Sequence, residues 1–396
     1  MTIKHSKRSD ISVFRALDIL RIANERIAQG EDIIHMEAGQ PRDGAPAAAL
    51  DHLKHMLDSD PRMGYTEAVG IPALRDRIAK WYDDQYGINI TGEQVAVTIG
   101  ASGAFLLTFL SVFDPGDRVA LAAPGYPAYR NILKALDITP VEIPATQETN
   151  YQPTLEHLND LKGDIDGLII ASPSNPAGTI LSPEELNQIG KWCEDNGVRL
   201  IADELYHGVE FEEKAETILR FSKSAIVVNS FSKYFAMTGW RLGWVVLPSD
   251  LAPTVKALAE SLFVSPSTPS QHLALKVFEH TDVLNEYVQR YKDNLKILKE
   301  ELPKAGFKKL SDTKGAFYIY ADIDNLTSDS EAFCRDLLND PKVAMTPGVD
   351  FDTKRGNTTV RISFAGPTEE IREACDRLKK WYEANHSEAA SANVSA

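Results

Sequence analysis

Cysteine is scarce: Cys193, Cys334 and Cys375 are the only ones in 396 residues, far apart and without C-x-x-C spacing. That excludes a disulfide framework and a cysteine-built zinc site, and it fits a reducing compartment. No apolar run reaches membrane length, and the opening stretch MTIKHSKRSDIS lacks the apolar core of a signal peptide. The cytoplasm is therefore the expected location, with no membrane partner. Positive charge is in deficit, 42 Lys+Arg against 57 Asp+Glu, for a formal net charge of -15. Such a surface argues against a nucleic-acid partner. A Walker loop, a G-x-G-x-x-G fingerprint and an internal repeat are all missing.

What is present is ordinary globular composition, 43% hydrophobic and 25% charged, in a chain long enough for a large core and two domains. Strand-like runs recur at 95–99, 118–122, 166–171, 198–202, 225–228 and 242–247, with helical spacing between several of them, most plainly at 183–196. The alternation implies βα units and a mostly parallel sheet flanked by helices. Helical patterns also cover 12–28, 47–57 and 71–86. Beyond Pro266 come helices at 273–279 and 283–302, then strands at 316–321, 343–346 and 358–364 interleaved with helices at 330–339 and 368–384. This second pattern reads as a smaller α/β domain. The Ser/Ala-rich end, 386–396, is expected to be disordered.

In open α/β sheets ligands lie at the carboxyl ends of the strands. Asn175, Asp203, Ser230 and Lys233 fall at or just after the ends of three strand-like runs. An aspartate directly after Leu200-Ile201-Ala202 is costly to bury without a cationic partner. Within NSFSKYFAMTGWRLGWV (229–245), Lys233 lies beside Ser230 and Ser232, with Arg241 eight positions on. Two readings exist. Lys233 is an exposed loop lysine, or its amine forms a Schiff base with an aldehyde while hydroxyls and guanidinium hold a phosphate. Pyridoxal 5′-phosphate carries both groups. The GASGA stretch (100–104), between a strand and the apolar helix 105–113, offers free backbone amides to a phosphate at a positive helix end. The Gly39-Gln40-Pro41 turn either serves a ligand carboxylate or changes the chain's direction.

Eight motifs in order, GQP, GYT, GASGA, PGYPAY, SPSNPAG, DELYHG, SFSKYFAMTGWRLGW and VRISF, span the chain from Ile11 to about Tyr382. As an ordered set they resemble the fold-type I pyridoxal-phosphate enzymes, and within them the class I/II aminotransferases. The resemblance implies an α/β large domain at 46–284 with a mostly parallel central sheet, a small α/β domain built from 1–45 and 285–385, and a tail at 386–396. It implies Lys233 as the Schiff-base lysine and proton carrier, and Asp203 as partner of the pyridine nitrogen. Asn175 and Tyr206 would bond the ring oxygen, and Tyr126 would stack on the ring. Ala101, Ser102, Ser230 and Arg241 would cradle the phosphate, with Ser232 beside them. Arg361 would grip the substrate α-carboxylate with its planar fork, helped by Gly39 and Asn175. Phe317 matches a position near the substrate or is a core aromatic. Tyr65 would reach the phosphate of a neighbouring subunit, which makes a homodimer the expected assembly. Small-domain movement, with Ile11 and Val13 at the lip, would exclude water.

The reaction implied is transamination between an L-amino acid and a 2-oxo acid, with ping-pong kinetics and no metal. A dicarboxylate substrate needs a second cation. No arginine lies between Arg241 and Arg290, and Ser102-Gly103 stands where one subgroup of the family has a lysine. Arg42 is the remaining candidate, so neutral, apolar or aromatic donors are favoured. Two alternatives share the scaffold: elimination, as in C–S lyases and aminocyclopropane-carboxylate synthases, and a catalytically silent cofactor-binding sensor.

Overall fold

The structure is a computed structural model that describes residues 3–392. Its central sheet has seven strands: β1 (Val95–Thr98), β2 (Arg118–Ala123), β3 (Thr139–Pro144), β4 (Gly167–Ala171), β5 (Arg199–Asp203), β6 (Ile226–Ser230) and β7 (Gly243–Val246). They lie in the order β1-β7-β6-β5-β4-β2-β3. Strands β2 to β6 run parallel, and β7 is antiparallel to both neighbours. Successive side chains enter different cores: Leu168, Ile170, Leu200 and Val227 pack on one side, Ile169, Ile201, Ile226 and Val228 on the other. A sheet buried on both faces reads as continuous apolar runs, which is why these strands carry no polar alternation. Strand β3 is an addition to the sequence reading. Its TPVEIP carries Pro140 and Pro144, and it sits at the sheet edge, where a missing N–H is tolerated.

Helix α1 (Arg15–Ala28) has no side-chain cap of its own. Instead Asp350 accepts the N–H groups of Arg15 at 3.0 Å and Ala16 at 3.1 Å, a capping contact made from far along the chain. Helix α2 (Gly100–Val112) starts earlier than its apolar run suggested, so GASGA forms its first turn rather than a loop before it. Helix α3 (Pro127–Ala135) starts with proline at N1, with Tyr126 as N-cap.

A second sheet is antiparallel, with β8 (Lys309–Leu310), β9 (Tyr318–Asp322), β10 (Thr346–Pro347) and β11 (Thr359–Ser363) in the order β10-β11-β9-β8. The run expected as one strand at 343–346 is divided: Val343–Ala344 pairs in parallel with Ile34–His35, while Thr346 joins Arg361 in the second sheet. The chain's two ends are thereby tied together. Helix α4 (Thr368–Ala392) continues into the tail expected to be disordered, and residues 393–396 lie outside the described residues.

Candidate active site

A cavity of about 890 Å³ opens at the carboxyl ends of β4, β5 and β6. Asp203 and Ser230 are the last residues of β5 and β6, Asn175 lies in the loop after β4, and Lys233 lies in the loop after β6. These four side chains line the cavity together with Gly39, Tyr126, Tyr206 and Arg361. Ala101, Ser102, Ser232 and Arg241 line it at the start of α2 and in the loop after β6.

The electrostatics are uneven. Asp203 is buried, with Oδ1 accepting the Leu205 N–H at 3.0 Å and Oδ2 accepting the Tyr129 hydroxyl. Burial pushes its carboxyl up to about 6, against the pull of those two donors and of Lys233. Lys233 donates to the Gly39 carbonyl at 2.5 Å. Part of its side chain faces the cavity, yet enclosure away from bulk water pulls the amine down to about 7, helped by Arg361 and Arg241 and opposed by Asp203. Arg361, on β11 between Tyr320 and Thr346, is 4% exposed. Its Nη1 donates to Asn175 Oδ1 at 3.0 Å and its Nη2 to the Glu37 carbonyl at 2.7 Å, while Nε has no partner. The guanidinium carbon lies 4.3 Å from the Tyr318 ring centroid and 4.8 Å from that of Phe351. Among the described residues none of these three charged groups forms an ion pair, so a buried acid and two enclosed bases await charges that the chain does not supply.

The phosphate end is also formed. The first N–H groups of α2 have no acceptor within the helix. Gly100 has φ +67°, and a Cβ there would fall 2.6 Å from Arg241 Nη2, so only glycine lets this guanidinium lie against the helix start. Ser230 Oγ donates to the Leu242 carbonyl and lies within hydrogen-bond distance of Ser232 Oγ, each at 2.9 Å. Pyridoxal phosphate matches this set: a ring nitrogen for Asp203, an aldehyde for Lys233, and a phosphate for the α2 amides, Ser230 and Arg241.

The structure separates readings that the sequence left open. Phe317 is fully buried in the core, and its neighbour Tyr318 faces the cavity instead, with its hydroxyl 2.9 Å from that of Tyr206. Arg42 stands outside the cavity in an exposed pair with Glu370 at 3.5 Å. Tyr65 is 87% exposed and does not line its own chain's cavity. Ile11 is at the rim as expected, whereas Val13 is exposed and outside the lining. Sequence reasoning missed Tyr129. It stands three positions after Tyr126, the spacing that places both on one face of a helix begun by Pro127.

Comparison with known proteins shows the family. Residues 31–378 match the family described as aminotransferase class I and II. The chain is 45% identical over 391 residues to the valine–pyruvate aminotransferase of Mycobacterium tuberculosis, covering 96% of this chain and 99% of that one. An aspartate aminotransferase of Pyrococcus horikoshii is 33% identical over 362 residues, covering 90% and 92%. A crystal structure of an aminotransferase from Mycobacterium tuberculosis superposes with a TM-score of 0.94 at 44% identity, covering 97% of this chain and 100% of that chain. The protein belongs to the class I and II aminotransferases. It is a pyridoxal-phosphate-dependent enzyme of fold type I that transfers amino groups between amino and 2-oxo acids; the elimination and sensor readings are not favoured. Among the described residues no helix is long and apolar enough to cross a membrane.

Proposed function

We propose that the amino donor is a neutral L-amino acid with an apolar or aromatic side chain, and that the reaction is ping-pong with a 2-oxo acid as acceptor. One observation carries this reading. Among the described residues the cavity's cations are Lys233, Arg241 and Arg361, and the wall beyond them is mostly apolar, with Phe14, Leu17, Leu20, Leu106, Ile132 and Leu136 beside Asn131 and Asp350. Each cation has its own task, so none is left for a second substrate carboxylate. The name of the Mycobacterium tuberculosis relative, a valine–pyruvate aminotransferase, supports the same class.

Pyridoxal phosphate supplies an aldehyde that accepts the amino group and a ring that draws electrons from the substrate Cα. Asp203 holds the ring nitrogen, Tyr206 and Asn175 the ring oxygen, and Tyr126 the ring face. The α2 amides at Ala101 and Ser102, with Ser230, Ser232 and Arg241, hold the phosphate. Arg361, with Asn175 and the Gly39 backbone, fixes the α-carboxylate and so orients the Cα–H bond toward Lys233. Lys233, its amine pulled down to about 7, would take that proton near neutral pH and deliver it to the cofactor carbon that carried the aldehyde, so that the former Cα leaves as the 2-oxo acid's carbonyl carbon. The reading extends to the whole molecule. Residues 46–284 form the cofactor domain, and 1–45 with 285–385 form a small domain that closes over the substrate and keeps water out. Tyr65, with the exposed Leu262 and Val264, faces a second copy in a cytoplasmic homodimer; a monomer in sedimentation would overturn that assembly.

The test is a half-reaction screen. Holoenzyme is mixed with each L-amino acid and the cofactor's visible band is followed. Rapid bleaching with valine, leucine or phenylalanine and slow bleaching with aspartate is the expected pattern. Aspartate as the fastest donor would refute the substrate assignment.

A further inference from the structure

Tyr129 has no part in the roles given above, yet its hydroxyl donates to Asp203 Oδ2 while the Leu205 N–H takes Oδ1 at 3.0 Å. Both oxygens of this buried carboxylate therefore carry a donor from the chain. Tyr129 is 4% exposed, and its ring meets Phe105 edge-on at 5.0 Å and 67° and Tyr126 at 5.4 Å and 84°. The hydroxyl is fixed in direction by that packing. Other polar groups face Asp203 without bonding it: Lys233 from the loop after β6, Glu204 next along the chain, and the hydroxyls of Tyr126 and Tyr206.

We propose that Tyr129 is a positioning residue that acts through Asp203, setting both the direction and the basicity of its carboxylate toward the cofactor's ring nitrogen. The proposal rests on Asp203 being the partner of that nitrogen. A neutral O–H donor stabilises a carboxylate more than a carboxylic acid. With Tyr129 in place, ionised Asp203 beside a protonated ring nitrogen is favoured over the neutral pair. Without the hydroxyl the shared proton moves toward Asp203, and the ring loses positive charge. It then withdraws electrons less from the substrate Cα, and the Lys233 nitrogen joined to the cofactor keeps its proton to higher pH.

The experiment uses holoenzyme and the Tyr129→Phe variant, which removes one oxygen and leaves the ring. The pH midpoint of the cofactor's visible band, titrated without substrate, rises by roughly one unit, and kcat falls about tenfold with little change in KM. In an Asp203→Asn background Tyr129→Phe moves the midpoint no further, because its route is gone. An unmoved midpoint in Tyr129→Phe, where Asp203→Asn does move it, overturns the proposal and leaves Asp203's role intact. So does a full shift persisting in the Asp203→Asn background. An unmoved midpoint in Asp203→Asn alone overturns the Asp203 assignment, and this proposal with it.

Discussion

Replacing Arg361 with lysine keeps a positive charge in the cavity and removes the planar fork. The wild-type guanidinium spends two nitrogens on the chain, Nη1 to Asn175 Oδ1 at 3.0 Å and Nη2 to the Glu37 carbonyl at 2.7 Å. Its flat face rests 4.3 Å from the Tyr318 ring centroid, a stacking that an ammonium does not reproduce. A lysine has a single nitrogen to divide between Asn175, the Glu37 carbonyl and the substrate. At least one hydrogen bond to a charged partner is lost, which costs about 1.5–3 kcal/mol. In kcat/KM for an L-amino acid that is a fall of roughly 10- to 150-fold. If the carboxylate is held equally in ground and transition states, the loss falls mainly on KM. Single-turnover bleaching of the cofactor band measures it directly, and the matching amine without a carboxylate is the control. The amine reacts slowly with both proteins, and its rate is unchanged by Arg361→Lys. A kcat/KM within twofold of wild type, or an equal loss for the amine, would refute the carboxylate assignment.

Two further outcomes follow from the same geometry. Gly100→Ala forces a non-glycine residue to φ +67° and sets a Cβ 2.6 Å from Arg241 Nη2, so folding stability drops by about 1–2 kcal/mol and cofactor affinity by roughly tenfold or more as the guanidinium is displaced. Reduced stability with an unaltered cofactor Kd would remove Arg241 from the phosphate cradle. The carboxyl of Asp203 is pushed from its ordinary 3.8 to about 6 by burial. In the cofactor-free protein the folded state then binds more protons than the unfolded chain between those values. Stability falls as pH rises through this window, and the penalty, up to about 3 kcal/mol, persists above it. Cofactor-free Asp203→Asn is therefore more stable than wild type at pH 8, with the margin shrinking toward pH 4. Thermal melts showing a margin independent of pH would contradict the burial argument.

The strand ends were legible because a buried parallel strand tolerates polar atoms only where it stops. Asp203 after LIA and Ser230 after IVVN were visible for that reason. Arg361 could be singled out through the resemblance of its VRISF motif, not through periodicity. The misses have equally local causes. GAFYIYAD has no polar alternation, since both faces of this strand region are buried, so its parity was unreadable, Phe317 stayed open between core and substrate side, and Tyr318, which faces the cavity, was not singled out. Tyr129 was hidden because PAYRNILKA was not read as a helix, and without a helix the i, i+3 spacing from Tyr126 carries no meaning. The capping of α1 by Asp350 joins residues 335 positions apart and leaves no mark in local sequence.

The charges in the cavity explain why such a chain accepts an unfavourable interior. Among the described residues Asp203 has no paired cation and Arg361 no paired anion, and Lys233 is held low by burial and by two guanidinium groups. Each of these costs stability while the cofactor and substrate are absent. On the proposed roles none can be relaxed without loss, because the same features would make Asp203 a partner for a ring cation, Arg361 a receptor for a carboxylate, and Lys233 a base at neutral pH. The hydroxyl of Tyr129 and the N–H of Leu205 limit the cost at Asp203 without cancelling its charge. Cofactor binding is thus coupled to folding on this proposal: the ring nitrogen and phosphate would satisfy what the chain leaves open, and the holoenzyme is expected to be more stable than the cofactor-free protein by an amount that grows with cofactor concentration.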